Sequence, residues 1–298
     1  MNTWNILVVD DDMLNRDIIA ERLDDPHYCL EMAENGAEAW DKLHHGNQAF
    51  DLVLLDRMMP VMNGMELLHK IKGDPRFKNL AVIMQTAAAT PRQIQEGLAA
   101  GCYYYLTKPY KASSLICIVN VALEELRSNN LLRSAVSALP ALSGSQNAEF
   151  QFSTLEETHR LSALLASHCP DPAGAALGLS ELLTNAIEHG NLGISYTEKS
   201  QLKRDNRWEE EIIARLQQPQ YRDKKALVSF TQTSDKVVFT IIDQGNGFNW
   251  QKYLDFDPER AFDPNGRGIA MAGKLAFTRL EYCGKGNHVI ATIKLNGG

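Results

Sequence analysis

Over the first 126 residues, short apolar runs alternate with stretches whose apolar side chains recur every three or four positions. The short runs are Ile6–Val9, Cys29–Met32, Asp51–Leu55, Ala81–Thr86 and Cys102–Leu106. Arg16–Leu23, Ala37–Leu43, Met65–Ile71, Pro91–Ala99 and Ser113–Leu126 carry the helical period. Continuous apolar strands alternating with helices predict a parallel sheet covered on both faces, an α/β arrangement of five strands and five helices. The pattern then loosens. Leu115, Val119, Ala122 and Leu126 form one stripe, and Leu132, Val136 and Leu139 form another beyond Asn129-Asn130. They are not one heptad series, so a continuous helix and two separate helices both fit. Pro140–Gln151 is rich in Ser, Gly, Ala and Asn and reads as a linker. Beyond it, Ser153–Ser167 (capped by Ser153 or Thr154) and Pro172–His189 read as helices. Ala226–Phe230, Val237–Ile242, 275–280 and 288–295 read as strands. Three segments result: a domain over 1–126, a helical extension and linker over 127–151, and a second α/β domain over 152–298.

In a parallel sheet the site lies beyond the carboxyl ends of the strands. Those ends carry Asp10 and Asp11 after the first strand, Asp56 after the third, Thr86 after the fourth and Lys108 after the fifth. Three carboxylates in one place repel unless a cation joins them, and Mg2+ with oxygen ligands from Asp10, Asp11 and Asp56 answers that need. The Lys108 ammonium and the Thr86 hydroxyl suit the oxygens of a phosphoryl group held on Asp56. Asp12 reads as a solvent-facing or loop-supporting residue.

This half resembles the receiver domain of bacterial two-component response regulators, a flavodoxin-like (βα)5 fold. ILVVDDD carries the acidic pair and LVLLDRMMPVMNG the phosphoacceptor Asp56, with Pro60 and Gly64 shaping the loop that follows. Thr86 and Tyr105 match switch positions, and Lys108-Pro109 matches a lysine before a peptide bond that is usually cis. The resemblance implies an upstream histidine kinase that phosphorylates Asp56. Helical extensions at residues 127 onward imply a homodimer.

In the second half, Glu181 and Asn185 lie four apart on one helix face, where a Glu can act as base and an Asn carbonyl can hold Mg2+. Asp243-Gln244-Gly245-Asn246-Gly247 ends a strand; its carboxylate can accept from an exocyclic amine, and its glycines admit close backbone approach. Asn265-Gly266-Arg267-Gly268 is a turn entering a helix, where free amides favour phosphate. With ELLTNAIEHGN, these motifs resemble the α/β-sandwich ATP-binding domain (GHKL, or Bergerat, type) of histidine kinases, gyrase-type ATPases and anti-sigma-factor serine kinases. The resemblance implies ATP with Mg2+ on Asn185, Asp243, Gly245 and Gly247 on the adenine side, and Gly266, Arg267 and Gly268 on the phosphate side. Arg267 reaches phosphate or stays solvated. The lid would run over Phe248–Asn265.

No H-E-x-R-x-P-like stretch precedes the domain, and His159 in EETHRL lacks the Arg and Pro. The compact start looks most like the anti-sigma serine kinases, with Glu181 as base and a serine of an anti-anti-sigma (STAS-type) protein as acceptor. A sigma factor is a further partner of that branch. The alternatives are a non-enzymatic ATP-binding switch that sequesters a partner, and an atypical histidine kinase. About 30 residues from Tyr196 to Lys225 depart from the minimal kinase. There, Trp208, Ile212, Ile213 and Leu216 offer an apolar helical face that could cover the domain, dimerise or bind a partner.

Composition narrows the remaining choices. The 298 residues hold 30 basic and 37 acidic side chains, a net charge of −7, which disfavours direct nucleic-acid binding. Residues 1–120 carry 16 of the acidic and 11 of the basic groups. Five scattered cysteines without CxxC spacing read as free thiols in a reducing compartment. The start lacks the basic-then-apolar pattern of a signal peptide, and no run of 18 apolar residues predicts a membrane span. A cytoplasmic protein is the expectation.

Overall fold

The computed structural model describes residues 3–46, 48–87, 90–138, 147–254 and 268–295. These divide into two compact units, up to Arg127 and from Ser128. In the first, β1 (Trp4–Val9), β2 (Tyr28–Ala33), β3 (Leu52–Asp56), β4 (Ala81–Thr86) and β5 (Tyr104–Thr107) alternate with α1 (Met13–Arg22), α2 (Gly36–His45), α3 (Gly64–Gly73), α4 (Pro91–Ala99) and α5 (Ala112–Ala138). The strands pair in parallel in the order β2-β1-β3-β4-β5. Successive strand residues point to opposite faces, so each apolar run feeds two cores. Leu7, Val9, Val53 and Leu55 pack with α2, α3 and α4. Ile6, Val8, Leu52 and Leu54 pack with α1 and α5. Strand order reverses between β1 and β3, which places the crevice at the ends carrying Asp10 and Asp56.

The helix starts are set by caps. Asp12 accepts from the Leu14 N–H, and Asn35 from those of Ala37 and Glu38. Asn63 with Glu66 and Thr90 with Gln93 form reciprocal capping boxes. Asp12 faces solvent, one of its two expected roles, and also caps α1, a role the sequence reading did not name.

The second unit holds a five-stranded antiparallel sheet in the order β6-β7-β8-β10-β9. Its strands are β6 (Asn147–Phe152), β7 (Ala226–Gln232), β8 (Lys236–Ile242), β9 (Arg279–Cys283) and β10 (His288–Lys294). Helices α6 (Leu155–Ala166), α7 (Pro172–Asn185), α8 (Tyr196–Arg204), α9 (Trp208–Leu216) and α10 (Gly268–Leu275) complete it. Phe152, Val228, Phe230, Phe239, Ile241 and Ala291 meet Leu165, Leu179, Leu183 and Ile187 in one core. This is the α/β sandwich expected of the second half.

Several element boundaries differ from the expectation. Of the two readings left open there, the continuous helix holds: Asn129-Asn130 does not break α5, because Asn inside a helix costs only tenths of a kcal/mol and Leu132 beyond it is buried. Residues 147–151, read as linker, belong to edge strand β6; Ala148 and Phe150 are shielded while Asn147, Glu149 and Gln151 face water. The strand expected at 275–280 lies later, at Arg279–Cys283. Pro172–His189 is not one α-helix: α7 ends at Asn185 and a π turn covers Ala186–Asn191. In the 196–225 segment, Ile212 is buried and Trp208 and Leu216 pack on the core, but Ile213 is exposed. Burial thus follows only part of the predicted stripe, and α9 covers its own domain. Among the described residues no helix is long and apolar enough to cross a membrane.

Candidate functional sites

At the first site, β1 delivers Asp10, β3 delivers Asp56 and the end of β5 delivers Lys108. The Lys108 Nζ lies 2.6 Å from Asp10 Oδ2 and 2.5 Å from Asp56 Oδ1. Asp10 Oδ1 also accepts from the Asp12 N–H at 3.0 Å and from Asn15 Nδ2 at 3.2 Å. Asp56 Oδ2 accepts from the Met58 N–H at 2.7 Å. The Lys108-Pro109 peptide is cis. Burial pushes the Asp56 carboxyl up, with Lys108 and the Met58 amide pulling against it. Burial also works against the Lys108 charge, but its hydrogen bonds to Asp10 and Asp56 outweigh that and leave it above the ordinary value. The result is a desolvated carboxylate paired with a fixed cation. Such a pair can take up a phosphoryl group on the carboxylate while the ammonium compensates the added charge.

Thr86 is buried at the end of β4, and Asp11 is exposed beside Asp10. Among the described residues no group of three His, Cys, Asp or Glu side chains is close enough to hold a metal. Two of the three expected ligands converge on Lys108, and Asp11 stands apart. Tyr105, matched to a switch position, is fully buried, and its hydroxyl donates to the Gln93 carbonyl at 3.3 Å. Gly97 makes the room: a β-carbon there would lie 1.7 Å from that hydroxyl.

At the second site, α7 presents Glu181 and Asn185 one turn apart, and Asn185 Nδ2 donates to Glu181 Oε1 at 2.9 Å. That bond leaves the Asn185 carbonyl oxygen available for a cation. Gly268, the first residue of α10, abuts the same carboxylate; a β-carbon there would sit 1.8 Å from Glu181 Oε1. Asp243 follows β8, and its Oδ1 accepts from the Gly245 N–H at 2.7 Å. Burial pushes its carboxyl up to about 6, against the Gly245 amide, Lys285 and Lys224. Gly247 has a φ of 79°, and a β-carbon there would meet the Lys285 carbonyl oxygen at 2.0 Å, so only glycine fits that turn. Gly266 and Arg267 lie outside the described residues, as does most of the expected lid.

The π turn was not foreseen. An inserted residue widens one helical turn, a device common at functional sites. Here it brings Gly190 under Asp243, where a β-carbon would lie 2.3 Å from the carboxyl carbon. It also lets Asn191 Oδ1 accept the Gln244 N–H at 2.9 Å. Glu188 on the same turn is buried and paired with Lys199 at 2.5 Å. His189 Nδ1 lies 2.5 Å from the Ile194 carbonyl oxygen, and burial followed by Lys199 lowers the ring's pKa; the ring anchors the turn to its own backbone. Phe248, Trp250, Tyr253 and Tyr282 form an aromatic cluster after the Asp243 turn.

Residues 6–120 match the response regulator receiver domain, and residues 158–293 match the histidine kinase-like ATPase domain. The chemotaxis protein CheY of Pseudomonas aeruginosa is 40% identical over 111 residues, covering 37% of this chain and 88% of that protein. The chain belongs to the response regulator receiver family. The receiver is also 34% identical over 137 residues to a probable transcriptional regulator, ycf29, of Pyropia yezoensis, covering 45% of this chain. The chain spans only 61% of that regulator's length. A solved chemotaxis response regulator, CheY4 of Vibrio cholerae, is 30% identical with a TM-score of 0.38, covering 41% of this chain and 100% of that one.

The receiver is thus fused to an ATPase domain of the histidine kinase-like type. In that domain the sequence named Glu181, Asn185, Asp243 and Gly268, carried Gly190 and Asn191 within ELLTNAIEHGN without giving them a role, and missed Lys199. The HGN at 189–191 was the available signal, since a Gly-Asn pair directly after the motif helix marks a special backbone.

Proposed function

We propose that this chain is a response regulator in which phosphorylation of Asp56 by an upstream histidine kinase controls an ATP-binding output domain. That domain acts as a protein serine kinase on an anti-anti-sigma (STAS-type) partner. The observation that supports the kinase reading best is the convergence of Glu181, Asn185 and Gly268 at one point. It sets a carboxylate base, an amide oxygen for Mg2+ and the first backbone amides of a helix side by side. Asp10 and Asp56, which converge on Lys108, would hold Mg2+ at the receiver, with Asp11 joining them only by turning toward the pair; the ion would shield phosphoryl charge there, and Asn185 would hold it in the ATPase domain.

The chain's own residues supply the rest. Asp56, desolvated and tethered by the Met58 amide, is the phosphoryl acceptor, and Lys108 favours its charged form and then faces the acylphosphate oxygens. In the ATPase domain Asp243 accepts from the adenine amine, and the widened turn at Gly190 leaves that carboxylate its place. Glu181 removes the proton from the attacking serine hydroxyl.

The test is labelled ATP with candidate partner proteins, with the Glu181→Gln variant run in parallel. Label on a partner serine, lost in the variant, supports the kinase. ATP binding with no label on any partner leaves a switch that sequesters its partner. Acid-labile, base-stable label on the chain itself identifies a histidine kinase.

A further inference from the structure

The 196–225 segment carries none of the nucleotide motifs, yet three of its cations turn back on the π turn. Lys199 on α8 pairs with Glu188 Oε2 at 2.5 Å. Arg215 on α9 donates from Nη1 to the Leu192 carbonyl at 2.9 Å. Its other nitrogens bind Glu211 at 2.8 Å and Glu198, so the guanidinium is held in a fixed direction. Lys224 donates to the Asn191 carbonyl at 3.0 Å.

The physical logic is that of a helix end. The last carbonyls of a helix lack intrahelical partners and carry the negative end of its dipole, so cations belong there. The π turn ends at Asn191, and the carbonyls of Asn191 and Leu192 are the two that Lys224 and Arg215 satisfy. Glu188 adds a buried charge whose Oε1 has no hydrogen-bond partner, so its carboxylate depends on Lys199. The other side of the same turn makes the nucleotide corner: Gly190 lies against Asp243 and Asn191 holds the Gln244 amide.

We propose that Lys199, Arg215 and Lys224 form a cationic clamp that sets the position of the π turn and, through Gly190 and Asn191, of the Asp243–Gln244 corner. The 196–225 segment is then a positioning element of the nucleotide site. This rests on reading that site as one for ATP. The three cations are positioning residues, since they act through the turn.

The full chain is titrated calorimetrically with a non-hydrolysable ATP analogue and Mg2+, and hydrogen–deuterium exchange is followed without nucleotide. Lys224→Met and Arg215→Met are expected to weaken binding about tenfold, as loss of an outer supporting contact does. Exchange should quicken over 186–192 and 243–247 while β7 and β8 keep their protection. Lys224→Arg restores a donor and should restore affinity. Arg222→Met, whose ion-pair partner Asp223 is exposed, should leave binding unchanged. Wild-type affinity in both Met variants overturns the clamp. So does faster exchange throughout the sheet without rescue by Lys224→Arg, which would mark a general loss of fold. A wild-type chain that binds no nucleotide overturns the site reading, and the clamp with it.

Discussion

Asp56 and Asp243 are both carboxyls lifted by burial, but they differ in what opposes the lift. At Asp56 a lysine stands 2.5 Å away; at Asp243 the nearest restraint is a backbone amide. Asp56→Asn is expected to abolish uptake of a phosphoryl group from acetyl phosphate, read as loss of the mass increase of one phosphoryl on the intact chain. Asp243 sets a pH dependence with two opposite signs. Accepting from an amine requires the carboxylate, so ATP-analogue affinity should fall as pH drops through about 6. Stability runs the other way. The folded pKa lies above the ordinary 3.8, so the group's contribution to folding is complete below that value and is lost as pH rises through about 6. Asp243→Asn keeps an acceptor for Gly245 and removes the buried charge. At neutral pH it should bind the analogue about tenfold or more weakly while its melting temperature stays equal or rises. Titration calorimetry and thermal melts, run as pH series, check both signs.

Elements place these residues through close approaches that tolerate no side chain. Gly190→Ala would put a β-carbon into the Asp243 carboxyl, and Gly268→Ala into that of Glu181. Both substitutions are expected to abolish detectable analogue binding, yet leave receiver phosphorylation unchanged, because they touch only the second unit. The sheet behind the site is a different matter. Phe239 is fully buried in β8, between β7 and β10. Phe239→Ala should cost about 3–5 kcal/mol, read as an earlier denaturant midpoint for the ATPase domain transition. The contrast separates two roles: glycines on the π turn and at the start of α10 govern binding, and the aromatic in the middle of β8 governs stability.

For the whole molecule, the proposal requires that phosphorylation of one domain be felt by the other. Treatment with beryllofluoride, which mimics the phosphoryl group on Asp56, is expected to change ATP affinity or partner binding of the full chain. Equal affinity, kinase rate and partner binding with and without it refute the coupling. Asp56→Asn should erase the beryllofluoride response while keeping basal ATP binding, which ties the effect to the receiver site.

Much of this architecture is legible along the chain because it depends on local rules. Short continuous apolar runs and helical apolar spacing predict the five-stranded receiver, and its strand ends name Asp10, Asp11, Asp56, Thr86 and Lys108 before any contact is known. Capping side chains such as Asn63 and Thr90 act within three residues, so helix starts are locally encoded, although the apolar stripe alone placed α1 at Arg16 and the Asp12 cap starts it at Met13. What the chain alone leaves open depends on partners far along it. Lys108 bridges Asp10 and Asp56 across 98 and 52 positions, and Asp11, identical in chemistry to Asp10, stays exposed. The polar-rich stretch at 147–151 becomes a strand only because β7 supplies its hydrogen bonds. The α-to-π change after Asn185 follows from packing: Glu188 and Asn191 are drawn inward to Lys199 and Gln244, contacts that no local pattern encodes. Sequence by itself thus determined the two folds and named the candidate residues of their sites. Tertiary structure decided which carboxylate is paired, which is lifted and which backbone turn abuts the Asp243–Gln244 corner, because burial and charge pairing are properties of packed neighbours.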